Sequence, residues 1–288
     1  MQQKTASINL SAFDATPVGV ALGKSFWFRL KLYGFAYAVV SLLLFIYASS
    51  SVIVFRLLVA WMMLSAFAVN FYTYRRRVIK PDARLIQFAA DNKLDYVLGS
   101  TYESAGIIMQ VGNHNHRTQD LIHGTLYGYE YVMYWHTFSI GSGKSEHPCY
   151  YAVLEIEVPK QLPNIFLDCL GNNSRFSQEV LNIYDDNERI TLEGDFDKYF
   201  HLYGLRQNAT DILTIMNPAF MDSLKAQDKT FDIEFKDKVV YVYLPNQYAA
   251  TEENVVQLYK AAEFLILALQ KQLDTFNYVP SRASTGLL

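Results

Sequence analysis

Two apolar runs dominate the pattern of hydrophobic and polar positions. Across residues 32–48 the only polar side chains are Tyr33, Tyr37, Ser41 and Tyr47, and residues 52–74 carry a single charge, Arg56. At ~1.5 Å of helix rise per residue, the second run can cross a hydrocarbon core of about 30 Å. The first can do so once Phe26, Trp27 and Phe28 are added, because Arg29 and Lys31 have stems long enough to lie along apolar surface while their charges reach the headgroups. Ser49, Ser50 and Ser51 supply the turn. The pattern predicts a transmembrane helical hairpin over residues 26–75, in which Arg56 snorkels near one end. A cleaved signal peptide fits poorly, since a second apolar run follows at once. A soluble core hairpin fits poorly too, given the length of that run.

The flanking cations orient the hairpin. Arg29 and Lys31 border the first run, Arg75, Arg76, Arg77 and Lys80 border the second, and the serine turn has none. By the positive-inside rule these membrane-anchoring residues put both termini in the cytoplasm, making the chain a multi-pass protein of the inner membrane. Residues 1–25 then read as a flexible cytoplasmic tail, 80–276 as a cytoplasmic domain and 277–288 as a C-terminal tail.

Beyond the hairpin, Pro81 opens a helix to about Asn92. Strands follow at 107–111, 121–126, 129–138 and 150–158, rich in aromatic and β-branched residues and punctuated by glycines, with Tyr127-Gly128 as a tight turn. In 150–158, Tyr151, Val153, Glu155 and Glu157 alternate with Ala152, Leu154, Ile156 and Val158, the pattern of a half-buried strand. Further strands are predicted at 162–168, 189–192 and 198–203. A hairpin is predicted from 231–235 and 239–244 joined through Lys236-Asp237-Lys238. Asn217-Pro218 starts one helix, and Thr251 caps another running from Glu252 to about Asp274, with apolar residues at helical spacing. The fold class expected is α+β: the membrane hairpin, a curved antiparallel sheet and a long C-terminal helix packed on one face.

Charge sharpens this division. The formal net charge of -3 conceals nine Lys/Arg against one acid in residues 1–80, a balance of +8, and sixteen against twenty-seven in the remainder, a balance of -11. An acidic body is a poor partner for nucleic acid. Two cysteines, Cys149 and Cys169, suggest neither a metal framework nor a disulfide framework.

Candidate chemistry is sparse. Gly141-Ser142-Gly143-Lys144-Ser145 ends like a phosphate-binding loop, but Phe138 stands where that motif needs its first glycine and Glu146-His147-Pro148 follows in place of a helix. His114 and His116 would project to the same side of an extended segment and, with Asp120 or His123, could ligate a metal; a polar loop is the plainer reading. Glu193, Asp195 and Asp197 alternate around Gly194 as a carboxylate pair might, or simply as a polar turn. No catalytic residue and no cofactor site is assigned.

The run from Leu192 through Glu193-Gly194-Asp195-Phe196 to Phe200, the run from Asp211 through Asn217-Pro218 to Met221, and Asp120-Leu121-Ile122-His123-Gly124 together resemble a bacterial family of uncharacterised two-span membrane proteins with a cytoplasmic domain of unknown function. That resemblance implies the layout and no mechanism. The function expected is a membrane-anchored, non-enzymatic binding or scaffold module, its partners being the lipid bilayer and another protein, or a second copy met through the domain or the hairpin, where Gly34, Ala38 and Ser41 would let helices approach. The alternative is a membrane-tethered, metal-dependent hydrolase built on His114 and His116.

Overall fold

The computed structural model describes residues 8–13, 61–62, 64–65, 82–98, 102–111, 114–141, 146–172, 189–192, 194–227 and 230–275. The chain divides into two compact units, Asp14–Lys80 and the remainder. In the first, Trp61, Met62, Leu64 and Ser65 are helical, and the Ser65 hydroxyl donates to the Trp61 carbonyl. Among the described residues no helix is long and apolar enough to cross a membrane. The expected transmembrane hairpin is therefore not seen, and the multi-pass, inner-membrane location drawn from it is withdrawn. Most of residues 26–75, with the anchoring residues Arg29, Lys31, Arg75, Arg76, Arg77 and Lys80, lies outside the described residues.

The larger unit is a mostly antiparallel sheet with few helices, which replaces the expected α+β class. Helix α1 (Ala83–Asp91) leads into β1 (Asp95–Val97), β2 (His114–Leu126), β3 (Tyr129–Ile140) and β4 (His147–Cys169). Then come β5 (Arg189–Ile190), β6 (Phe200–Gly204), α2 (Ala209–Ile215), α3 (Pro218–Lys225), β7 (Asp232–Pro245) and α4 (Glu252–Thr275). The sheet order is β1-β2-β3-β4-β6-β5, with β7 also paired to β4. Along its first half β4 lies between β3 and β7, and along its second half between β6 and β7. It is the central strand throughout, and most of its residues from Tyr151 to Cys169 are buried.

Alternation along β4 slips by one position midway. Ala152, Leu154, Ile156 and Val158 face one core and Tyr151 and Val153 the other, whereas beyond the slip Ile165, Leu167 and Cys169 share the first core and Phe166 lies in the second. Between Glu157 and Ile165 the pairing with β7 is irregular, and Pro163, which has no N–H to give a ladder, sits there. Strand β7 slips in step: Ile233 and Phe235 join Val240, Val242 and Leu244 in the first core, across Asp237 at φ 55°. A left-handed residue inserted in a strand bends it and re-aims the residues beyond. The two segments predicted as a hairpin are therefore one bent strand, because Asp237 makes a bulge and not a reversal. The Tyr243 hydroxyl donates to Glu234 on the same strand, although nine residues of straight strand would span about 30 Å. Only a ribbon folded over its second face allows this contact.

The first face is covered by helices. Leu85 and Phe88 of α1, Phe220 and Leu224 of α3, and Val255, Leu258, Leu265 and Leu269 of α4 pack there. Their starts are capped as their sequences require. Asp82 accepts from the Arg84 N–H, Asn217 accepts from the Phe220 N–H, and Thr251 and Asn254 exchange backbone-to-side-chain bonds in a capping box. Within the N-terminal residues read as a tail, Ala12 is buried and Phe13 packs on Phe88. The second face is covered by residues 102–111, whose Ile107, Ile108 and Val111 meet Tyr134, Phe166 and Tyr241. Residues 107–111, expected as a strand, begin with a 3-10 turn, while His114, His116 and Arg117, expected in a loop, lie in β2.

Replacing Asp237 tests the bend. Asp237→Val forces a β-branched residue to positive φ and is expected to cost about 1 to 2 kcal/mol, whereas Asp237→Gly stays within about 0.5 kcal/mol of the parent; urea unfolding of both variants measures this.

Candidate functional site

Where the 102–111 cover ends, the second face opens into a cleft of about 640 Å³. Two rows across the sheet make its floor. In one, Asp95 pairs with His123, His123 with Val132, and Val132 with Glu155; in the other, Thr125 pairs with Glu130 and Glu157 with Val239. Lys93, Leu94 and Tyr102 close the sides. Asp95, Glu130 and Glu157 are exposed at the rim and His123 is half-buried.

Glu155 is the exception, 8% exposed although it borders the cleft. Its two oxygens accept from the Tyr102 hydroxyl at 2.7 Å and the Tyr134 hydroxyl at 2.6 Å. Burial raises its pKa, against the opposing pull of hydrogen bonds from Ser104, Tyr134 and Tyr102. Deeper in, Glu234 accepts from the Ile107 N–H at 2.8 Å and from Tyr243. Burial pushes the Glu234 carboxyl up to about 7, with those two hydrogen bonds and Lys236 opposing. Burial likewise raises the phenols of Tyr102, Tyr134 and Tyr243, and the adjacent carboxylates add to it. Tyr102, Ser104 and Ile107 all belong to the cover, so the two carboxyl groups act as its anchors. Hydrogen bonds to charged groups contribute about 1.5–3 kcal/mol each.

Of the residues expected to form a metal site, the described side chains of His116 and Asp120 have different neighbours. His114 lies opposite Ser139 in the β2–β3 register, and its side chain is outside the described residues. His116 is exposed, with Nδ1 3.1 Å from His136 Nε2 and its ring stacked on Phe138. His136 is held neutral: burial, then His116, lowers its pKa to about 3, and Thr118 Oγ1 lies 2.9 Å from its Nδ1. Asp120 is buried elsewhere, accepting from the Tyr96 hydroxyl and from the Asp82 N–H at 3.3 Å at the entry to α1. Positive φ at Asn115 and Asp120 breaks the alternation that the expectation assumed. Among the described residues no three His, Cys, Asp or Glu side chains are grouped as a metal would require.

Asp195 is ion-paired to Lys225 at 2.8 Å, Asp197 accepts from the Leu192 N–H, and Glu193 and residues 142–145 lie outside the described residues. Both cysteines are free thiols. The anchors Glu155 and Glu234 were not singled out from sequence, although one signal was present: Glu155 shares a strand face with Tyr151 and Val153.

The fold and cleft together define a mostly antiparallel β domain with a polar, acid-rimmed groove on one sheet face. No family model matches the chain, and no curated protein does. Among solved structures the chain is similar to the crystal structure of the mycobacterial trehalose monomycolate transport factor A, with a TM-score of 0.46 and 10% identity over 68% of this chain and 96% of that one. A likeness this slight carries no argument about function.

Stability should report the buried anchor. Because the folded pKa of Glu234, about 7, lies above its ordinary 4.5, the folded state holds the proton more tightly between those values. Its contribution is full below about 4.5 and is lost as pH rises through 7. Glu234→Gln, whose amide oxygen can still accept from Ile107 and Tyr243, is expected to flatten the fall in stability between pH 5 and 8 by about 3 kcal/mol, read from urea unfolding at each pH.

Proposed function

We propose that this chain is a non-enzymatic binding module whose cleft takes a cationic ligand, a lysine- or arginine-bearing segment of another protein. The observation that carries the reading is the placing of Asp95, Glu130 and Glu157 around the open rim of the cleft, with Glu155 buried beneath them. Like charges on neighbouring strands destabilise a sheet, and a bound cation relieves that repulsion. Lys93 and His123 are the basic side chains lining the cleft, which leaves acids in excess. The volume falls within the range of about 300–1,000 Å³ typical of ligand sites.

A binding role is favoured over catalysis by the occupancy of Glu155. A general acid or base must reach the reacting proton, whereas both Glu155 oxygens already accept from tyrosines. The exposed rim carboxylates suit long-range attraction, which acts mainly on encounter rate and specificity.

Titration calorimetry of the full chain with a ten-residue oligolysine peptide tests this. Salt-sensitive binding is expected, with the double change Glu130→Gln and Glu157→Gln weakening it by about fivefold, in line with a few tenths to 1 kcal/mol for each exposed pair. Equal affinity for an oligoglutamate of the same length, or an unchanged affinity in the double variant, would contradict the reading.

A further inference from the structure

A second polar site lies away from the cleft, where β4 and β7 meet the turn that follows β4. Leu167 pairs with Ile233, so Asp168 of β4 and Asp232 of β7 are the next residues out along the same two strands. Both are buried, Asp232 completely and Asp168 to 2% exposure. Asp232 Oδ1 accepts from the Cys169 N–H at 2.8 Å and from Asn172 Nδ2 at 3.0 Å. Asp232 Oδ2 and Asn172 Oδ1 are shut off from solvent and have no hydrogen-bond partner among the described residues. In the turn itself the Leu170 N–H donates to the Tyr199 carbonyl at 2.9 Å and the Asn172 N–H to the Cys169 carbonyl at 3.2 Å.

A single proton matches both oxygens. A carboxylic acid and a primary amide close into a ring of two hydrogen bonds, the amide N–H donating to one acid oxygen and the acid O–H donating to the amide oxygen. The first bond is present, and the atoms of the second are the two left without partners. An ionised Asp232 cannot make it, because a carboxylate only accepts. The surroundings also favour the neutral form. On β4 the ionisable groups beside Asp232 are Asp168, of like charge, and the Cys169 thiol, which burial pushes up to about 11 and so keeps neutral. Beyond Asp168, His201 of β6 stands 4.0 Å away from it, and burial, then Arg189 of β5, lower the His201 pKa. Burial pushes the Asp232 carboxyl up to about 8 against the Cys169 N–H, with Asp168 adding to the rise and Asn172 opposing it.

We propose that Asp232 is protonated in the folded chain, its Oδ2–H donating to Asn172 Oδ1, and that this acid–amide pair is a pH-sensitive latch fastening the turn after β4 to β7. The folded value lies above the ordinary 3.8, so the stabilising contribution is full below about 3.8 and is lost as pH rises through about 8. Above that point the ring opens, a carboxylate is left buried beside Asp168, and the turn comes free.

Carboxyl-carbon NMR of the full chain, with Asp232 assigned through its backbone, reads the proton, and amide hydrogen exchange reads the turn. The Asp232 signal is expected at its neutral-acid position at pH 6 and to move with a midpoint near 8. Asp232→Asn keeps both hydrogen bonds, its amide N–H replacing the acid O–H, and has no proton to lose. At pH 6 the Leu170 and Asn172 amides of parent and variant should exchange alike. At pH 9, one unit past the midpoint, those of the parent should exchange about tenfold faster than those of the variant. If that variant does not fold, Asn172→Ala, which lacks the ring at every pH, should exchange faster than the parent at Leu170 at pH 6, and the difference should close by pH 9.

An Asp232 signal that is already that of a carboxylate at pH 6 overturns the proposal. So does a midpoint near 8 with parent and Asp232→Asn exchanging alike at both pH values, or with the Asn172→Ala difference unchanged between them, since the proton then fastens nothing.

Discussion

A strand paired along both of its edges cannot shift register without its partners, and β4 is such a strand, paired with β7 from Tyr151 to Leu167. Its partner pairs with it on both sides of a matched irregularity, Glu157 to Ile165 on β4 and Asp237 on β7. Because side chains alternate with a period of two, a slip of one position would turn every following apolar residue outward. Both strands slip, so the apolar set returns to the first core on either side of the bend. The same slips bring Glu234 and Tyr243 of one strand together over the second face.

The second face follows from that bend. Folding the ribbon makes a concave surface lined with tyrosines, and residues 102–111 fill part of it. Buried carboxyl groups would be costly there without donors. Tyr102, Tyr134, Tyr243 and the Ile107 N–H supply them. Glu155 and Glu234 thus hold the cover, and the unfilled remainder of the surface is the acid-rimmed cleft. Structure and proposed binding depend on neighbouring parts of one feature, with the buried acids fixing geometry and the exposed acids left to meet a ligand.

What could be read from the sequence was local. Tyr127-Gly128 forms the β2–β3 turn with both residues at positive φ, and Asn217 and Thr251 start α3 and α4 as capping residues do. The bend was illegible because Lys236-Asp237-Lys238 has the composition of a turn, and a left-handed aspartate can either reverse a chain or bulge a strand. The burial of Glu155 was illegible for a related reason: alternation gives the face of a residue, while the 102–111 segment that covers that face is remote in sequence. The metal site was read from simple alternation, which positive φ at Asn115 and Asp120 interrupts. The membrane hairpin, read from hydropathy alone, is not seen among the described residues.

The central claim is that the second sheet face, and not the helix-covered one, receives a cationic partner. Val132 and Val239 line the cleft, whereas Val240 and Val242 lie in the core beneath the helices. Methyl NMR of the full chain during titration with oligolysine separates the two faces directly. The account predicts saturable shifts of the Val132 and Val239 methyl signals with little change at Val240 and Val242. Shifts confined to other surfaces, with Val132 and Val239 unmoved at saturation, would contradict it.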